Sequence, residues 1–481
     1  MANELGNFVE KSAHKKIVVR SILISSAVSL LVGGAVSGII VYQQYKKYDD
    51  PNVKKLLEVY DIMVDEYFFG EETINKDVVD AAINGMTSCG DNYTFYTDNK
   101  EDQHLSTTQK GLGYKFIYYG GNAYVQWTYG NAPCNEVGLS EGDIILSSWV
   151  NGEEKVFADL SYGDFIDAIS NDSSNTLKYR IIDKETSSEK IIQFERGDYY
   201  YYGAKKIDSK KVDGKLLATI KVDTFLDQNL SSRVQTILAN IEKDEGQQID
   251  QLTIDLRSNG GGYVQSAVNL CGLFLPKGST VLEYVYKDGT TESYKTSSNP
   301  SFSHIKHFNI IQDRNSASAS ETFALAMKYA KNATIFGTTS YGKGIVQSLK
   351  YFSDGSVLRY TSAKSQYPIS QNEAVCIHGI GIAPSEGYDL NDCLYYYGEL
   401  DLEAYTQEEQ NEIKNRIVKS INLLLGTTYE SYNESLEKYQ EAKSLSITSS
   451  MNLETGRMLQ KELYDYYLLK MESFMNTYIG E

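Results

Sequence analysis

Two residues within positions 313–344 have the types that acyl-transfer chemistry needs. Ser318 stands just before an apolar helical run over 322–329, and Lys343 stands between two glycines after a short apolar strand over 334–337. A serine hydroxyl attacks a carbonyl only when a nearby base takes its proton. An exposed lysine, with a pKa of about 10.4, is charged at neutral pH and cannot be that base. Burial beside apolar walls disfavours the ammonium and lowers that pKa. Phe336, Ile345 and Val346 flank the Gly-Lys-Gly turn, and no Asp or Glu lies close to it in sequence. Ser318 therefore reads as a nucleophile and Lys343 as its base. A blander reading stands beside this one. Ser318 followed three residues later by Glu321 also has the form of a capping box, and a lysine between glycines is an ordinary turn residue. A Ser-His pair would have to recruit His307 or His378, and neither has a recognisable triad context.

The elements that must position these residues alternate strand and helix. Strands are expected over 216–222, 252–256, 281–286 and 308–312, with helices over 234–243 and 264–274. That alternation indicates an α/β sheet. The second strand runs into Asp255-Leu256-Arg257-Ser258-Asn259-Gly260-Gly261-Gly262. Three glycines where a strand meets a helix N-terminus leave backbone N–H groups free to hold a negative oxygen. Gly261 or Gly262, with Ala319 next to the serine, is the expected oxyanion hole. A phosphate loop would close on Gly-Lys-Ser/Thr, and this one does not.

Upstream, the pattern changes at Lys110 to alternating strands. It opens with Gly111-Leu112-Gly113-Tyr114 and includes Gly138-Leu139-Ser140-Glu141-Gly142-Asp143-Ile144. A glycine-rich loop beside a strand edge lets backbone N–H groups converge on a carboxylate. Residues 51–108 carry helical spacing, and helices are also expected over 408–425, 436–443 and 458–475. From Ser21 to Tyr42 there is no charge. At about 1.5 Å per residue that run reaches about 33 Å, enough to cross a bilayer. Lys11, Lys15, Lys16 and Arg20 before it favour a cytoplasmic N-terminus. The formal charge of −18, from 46 basic and 64 acidic residues, argues against nucleic-acid binding. Five scattered cysteines without a Cys-x-x-Cys pair suggest buried free thiols, and no metal site is expected.

The motifs in order carry a resemblance. The β-rich block resembles a PDZ domain. The succession DLRSNGGG, SASASE, YGKGIVQ and HGIGIAP closely resembles the C-terminal processing peptidases, or tail-specific proteases, across residues 56–390. That resemblance implies a multidomain α/β protein: cytoplasmic N-terminus 1–16, transmembrane helix 17–44, helical segment 45–108, PDZ domain 109–197, crotonase-like Ser/Lys protease core 198–393 and helical C-terminal extension 394–481. It implies Ser318 as nucleophile and Lys343 as base, 25 residues apart, with Gln347 orienting the lysine. Gly111, Leu112, Gly113 and Tyr114 would bind the carboxylate of a substrate tail. The expected protein is a single-pass, membrane-anchored endopeptidase with its catalytic part outside the cytoplasm. It would act on chains with exposed C-termini without a cofactor; the resemblance also allows a gate by the PDZ domain and a homodimer. A silent PDZ-bearing scaffold or sensor that keeps the protease fold is the alternative. The chain departs from the family pattern at Gly260, at Thr338-Thr339 and at Ser385, and none of these touches the dyad.

Overall fold

The computed structural model describes residues 50–65, 76–97, 108–171, 174–200, 203–370, 373–394, 405–448 and 450–479. The chain divides into two compact units, Met1–Tyr96 and Thr97–Glu481. The first holds α1 (Pro51–Asp65) and α2 (Lys76–Thr87). Leu56, Leu57 and Tyr60 on α1 stay exposed despite their helical spacing. The expected span over 17–44 lies outside the described residues. Among the described residues, no helix is long and apolar enough to cross a membrane.

The second unit begins with the β-rich block. Its strands are β1 (Thr108–Gly111), β2 (Tyr114–Tyr119), β3 (Asn122–Thr128), β4 (Ile144–Val150), β5 (Glu153–Val156), β6 (Thr176–Ile182), β7 (Glu189–Glu195) and β8 (Gly197–Tyr200), and it has one longer helix, α3 (Tyr162–Ser170). Strands pair antiparallel in the order β2-β3-β4-β6-β7, with β5 on β4 and with β1 and β8 as a separate pair. The alternation of buried and half-buried residues along β3 is the period of two expected of a strand with one face in a core. β2 lies at the edge of its sheet. Phe165 of α3 stacks on Tyr118 of β2 with ring centres 4.0 Å apart, so edge strand and helix share one apolar seam.

The α/β core follows. β9 (Ala204–Val212), β10 (Lys215–Val222), β11 (Gln251–Asp255), β14 (His307–Gln312) and β15 (Thr334–Gly337) form one sheet, parallel from β10 to β15. α4 (Leu230–Glu245), α5 (Val264–Cys271) and α6 (Ala319–Lys331) pack against it. A second, antiparallel sheet joins β12 (Thr280–Tyr286), β13 (Thr291–Lys295), β16 (Ile345–Tyr351) and β17 (Val357–Pro368). β10 and β11 read as nearly continuous apolar runs because they lie inside a parallel sheet. The expected strands and helices of the core are all present, with ends shifted by one to four residues.

The C-terminal extension forms α7 (Gln407–Leu425), α8 (Tyr432–Ala442) and α9 (Leu453–Met475). α9 starts five residues before the expected position because Asn452 caps it, its side chain accepting from the Thr455 N–H at 2.8 Å. These helices share a buried cluster with Ile311 and Phe336 of the core and Tyr119 of the β-rich block. All five cysteines are free; Cys134, Cys271 and Cys393 are buried as expected. Cys89 and Cys376 are exposed instead, because they fall on connections outside the packed elements.

α6, the helix that Ser318 precedes, is fixed to the sheet by fully buried Phe323, whose ring lies 6.2 Å from that of Phe225. Phe323→Ala is expected to cost about 3–5 kcal/mol of unfolding free energy, measured by urea denaturation.

Candidate active site

Ser318 sits at the N-cap of α6 with φ 59° and ψ −117°, a backbone conformation rare for any residue other than glycine. Such strain costs of order 1–3 kcal/mol and persists only where neighbours over-determine it. Here they do. The Ser318 N–H donates to Glu321 Oε2 at 2.8 Å, and its carbonyl accepts from Thr322 at 2.9 Å. Gly261 packs so tightly against it that a Cβ there would come within 2.9 Å of Ser318 Cβ and 2.6 Å of the Ala317 carbonyl. Residue 261, at φ 98°, therefore has to be glycine.

Lys343 stands in the turn before β16. With Ser318 it lines a cleft whose apolar side includes Val281, Leu282, Leu325 and Ile377. Burial, and then the Arg359 guanidinium, push the Lys343 amine below the ordinary lysine range; the Glu321 carboxylate opposes them. This is the environment that a lysine base requires.

The absence of an acid near the lysine turn holds in sequence but not in space. Glu321 is buried, and its carboxylate reaches across to that turn. Oε1 accepts from the Ser340 hydroxyl and the Gly342 N–H, both at 2.6 Å, and Oε2 accepts from the Lys343 N–H at 2.8 Å as well as from Ser318. One side chain thus ties the two turns together. Capping the helix is only part of what Glu321 does, and the glutamate, more than the serine, supplies the cap. Serine-to-glutamate spacing marks a cap in sequence, but nothing in it signals the second turn.

Asn259 is the second residue that sequence reasoning passed over. Fully buried, it donates through Nδ2 to the Val222 carbonyl at 2.8 Å and accepts the Gly261 N–H on Oδ1 at 3.0 Å. Its carbonyl accepts from the Ala317 N–H at 3.0 Å and from the Ser320 hydroxyl at 2.8 Å. The glycine loop and the serine turn are joined here too, and Ser320 is committed to structure. Because the Gly261 N–H is already given to Asn259, Gly262 and Ala319 are the better placed of the three expected oxyanion donors. Among the described residues no side chain takes the Gly262 N–H. Ala319, as the first residue of a helix, has no intrahelical acceptor for its own N–H.

Beneath the loop lies a buried charge cluster. Asp255 makes a two-point contact with Arg257 (2.6 and 3.0 Å), and Lys221 lies 3.4 Å from the same carboxylate. Burial raises the Asp255 carboxyl, but Arg257 and Lys221 more than offset this and hold it at about 2. Asp313 accepts from the Ser258 N–H at 2.9 Å, fixing the start of the loop.

Gln347, expected to orient the lysine, is engaged elsewhere. A bulge between Val346 and Gln347 shifts the register of β16, and Gln347 Oε1 lies 3.4 Å from Arg359 Nη2. Among the described residues its amide nitrogen is buried without a hydrogen-bond partner. In the β-rich block, Gly111 ends β1 and Tyr114 opens β2, leaving Leu112 and Gly113 as the connection. Gly113 has φ 76° and is closed in by Ala132, 2.5 Å from where a Cβ would lie.

Residues 216–386, a stretch containing Ser318, Lys343, Gly261 and Gly262, match Peptidase family S41. The core of this chain is similar to peptidase family S41 domains. The chain is 27% identical over 470 residues to a probable CtpA-like serine protease of Staphylococcus aureus (strain N315), an alignment covering 92% of this chain and 88% of that protein. It is 26% identical over 482 residues to a probable CtpA-like serine protease of Staphylococcus haemolyticus, covering 95% and 92%. Among solved structures, the photosystem II D1 C-terminal processing protease aligns over 69% of this chain and 85% of its own, at 22% identity and a TM-score of 0.45. The motifs DLRSNGGG, SASASE, YGKGIVQ and HGIGIAP all fall within the matched stretch. The matched stretch lies between the β-rich block and the C-terminal helices.

Glu321→Gln exchanges one acceptor oxygen for a donor facing N–H or O–H groups, so one pair of its hydrogen bonds is lost in either amide orientation. A loss of about 2–4 kcal/mol in unfolding free energy is expected by chemical denaturation.

Proposed function

We propose that this S41 peptidase is a serine endopeptidase that takes hold of free C-terminal tails and cleaves them with a Ser318/Lys343 dyad. The observation that carries this reading is the placement of a strained Ser318 and a half-buried Lys343 in one cleft, with Glu321 fixing both backbones. Neutral Lys343 takes the Ser318 proton as Oγ attacks the scissile carbonyl. The negative oxygen that forms is held by the Ala319 N–H and by Gly262, or by Gly261 if Asn259 releases it. Collapse of the intermediate breaks the C–N bond, and Lys343 returns the proton to the leaving amine. Water, deprotonated by Lys343, then hydrolyses the Ser318 ester. Gln347 enters if its unpaired amide turns toward the lysine.

The β-rich block takes the role of a PDZ domain in this reading. Two features support it: the Gly111-Leu112-Gly113-Tyr114 connection runs into an edge strand, and α3 lies alongside that strand. An extended tail would add to β2 and set its carboxylate against the connection. Lys115, one residue further on, donates to the carbonyl of Ser258 at the start of the glycine loop. That contact gives tail binding a physical route to gate the dyad. The uncharged run over 21–42 anchors the chain in a membrane with the catalytic part outside the cytoplasm.

Cleavage of an unstructured peptide with a free apolar C-terminus tests the dyad. Ser318→Ala and Lys343→Ala are each expected to lower turnover by about 10⁴-fold or more. Lys343→Arg should be equally inactive, because a guanidinium does not act as a neutral base. Cleavage by these variants at the wild-type rate would overturn the assignment. Amidating the peptide's C-terminus is expected to raise KM; retained tail binding without any cleavage would support a scaffold instead.

A pH profile tests the base. Activity requires neutral Lys343 and so rises with pH through its lowered pKa. Arg359→Gln removes a cation that disfavours the ammonium, so the acid limb of kcat/KM is expected to move to higher pH.

A further inference from the structure

The S41 match ends at residue 386 and leaves α7–α9 without a role. The contacts along α9 supply one. Arg457 donates to the Ala158 carbonyl of the β-rich block. One turn later Gln460 accepts from the Gly120 N–H at 3.4 Å, in the tight turn between β2 and β3. One turn further, Tyr464 stacks on Tyr119 of β2, with centres 4.9 Å apart and planes at 15°, and leans on Tyr124 of β3 at 5.2 Å. The helix then passes to the core. Tyr467 is wholly buried, with the Asp255–Arg257 pair and Asp313 as its charged neighbours. Phe474 stacks on Phe336 of β15 at 4.4 Å. Beyond the helix, the Thr477 carbonyl accepts from Gln251 Nε2 at 2.9 Å, and the Ile479 N–H donates to Gln251 Oε1 at 2.8 Å. Gln251 is the buried first residue of β11, the strand that ends at Asp255.

Positions 457, 460, 464, 467, 471 and 474 are spaced by three and four, so they form one stripe along the helix. Its first half grips the β-rich block, and its second half packs on the core at Phe336 and beside the Asp255–Arg257 pair.

We infer that α9 is a brace that sets the position of the β-rich block relative to the Ser318 cleft, with Tyr464 as the positioning residue on the block side. The functional part of the inference rests on the peptidase reading above. A tail bound along β2 reaches Ser318 in register only while β2 is held, and Tyr464 holds its end at Tyr119 while Lys115, near its start, contacts the core. Loosening that grip affects delivery of long substrates more than chemistry at the dyad, because no residue of α9 lines the cleft.

The test uses full-length Tyr464→Ala, with Tyr464→Phe as the conservative control that keeps the stacking ring. Amide hydrogen exchange, read in a Ser318→Ala background, does not depend on activity. Exchange over 114–128 is expected to accelerate in Tyr464→Ala, with 216–222 unchanged and Tyr464→Phe like the parent. For cleavage of the free-tailed peptide, KM is expected to rise by about 2- to 30-fold, the range for a contact that positions without touching substrate. Turnover of a small nitrophenyl ester, which needs only the dyad, should stay at the parent value. Unchanged exchange over 114–128 together with an unchanged KM would overturn the brace. Acceleration throughout the core would also overturn it, marking Tyr464 as a general packing residue. If the parent enzyme cleaves neither substrate, the peptidase reading fails, and the exchange data alone decide the brace.

Discussion

A single buried carboxylate holds the candidate active site together. Glu321 accepts four hydrogen bonds, three from backbone N–H groups and one from a hydroxyl, and none of these donors is charged. A buried carboxylate is tolerable when it is fully hydrogen-bonded, and the N-terminal end of α6 adds a favourable dipole. The arrangement fixes two turns that are 25 residues apart in the chain. It also places negative charge near the Lys343 amine, which by itself favours the ammonium. Burial and Arg359 act the other way and prevail. The site therefore balances backbone positioning against the electrostatics of the Lys343 amine.

The loop opposite Ser318 is held by comparable means. Asn259 links Val222, Gly261, Ala317 and Ser320 through both ends of its side chain and its own carbonyl. Asp255, Arg257 and Lys221 form a buried cluster below it, tolerable because each charge has an opposite neighbour. Gly261 and Gly262 bring the backbone closer to Ser318 and to Phe225 than any side chain would permit. The glycines thus serve close packing. α9 closes this cluster from the far side through Tyr467, so the C-terminal helices belong to the same packed unit as the cleft.

Much of the architecture was legible from residue patterns. Apolar runs marked β10, β11, β14 and β15, helical spacing marked α4 to α9, and the order of the short motifs pointed to the S41 family. These features are local: each depends on side chains within a few residues of one another. The spatial partners were not legible. Glu321 read as a cap because its first partner is three residues away, whereas its others are nineteen to twenty-two residues on. Gln347 read as the lysine's partner because the motif places it four residues later. A bulge in β16 and the guanidinium on β17 direct its amide elsewhere. The exposure of Cys89 and Cys376, and the reach of α9 across two parts of the fold, likewise depend on packing between distant segments.

The sequence by itself determined the element types, the candidate nucleophile and base, the glycine loop and the alternating block upstream. Periodicity and spacing are properties of a short stretch of chain, and they are sufficient for that. Only the tertiary structure decided that Glu321 joins the serine and lysine turns, that Asn259 occupies the Gly261 N–H, and that Lys343 lies among apolar walls beside Arg359. Hydrogen bonds and desolvation act over a few ångströms regardless of sequence separation. They become definite only once the chain has brought its distant parts together.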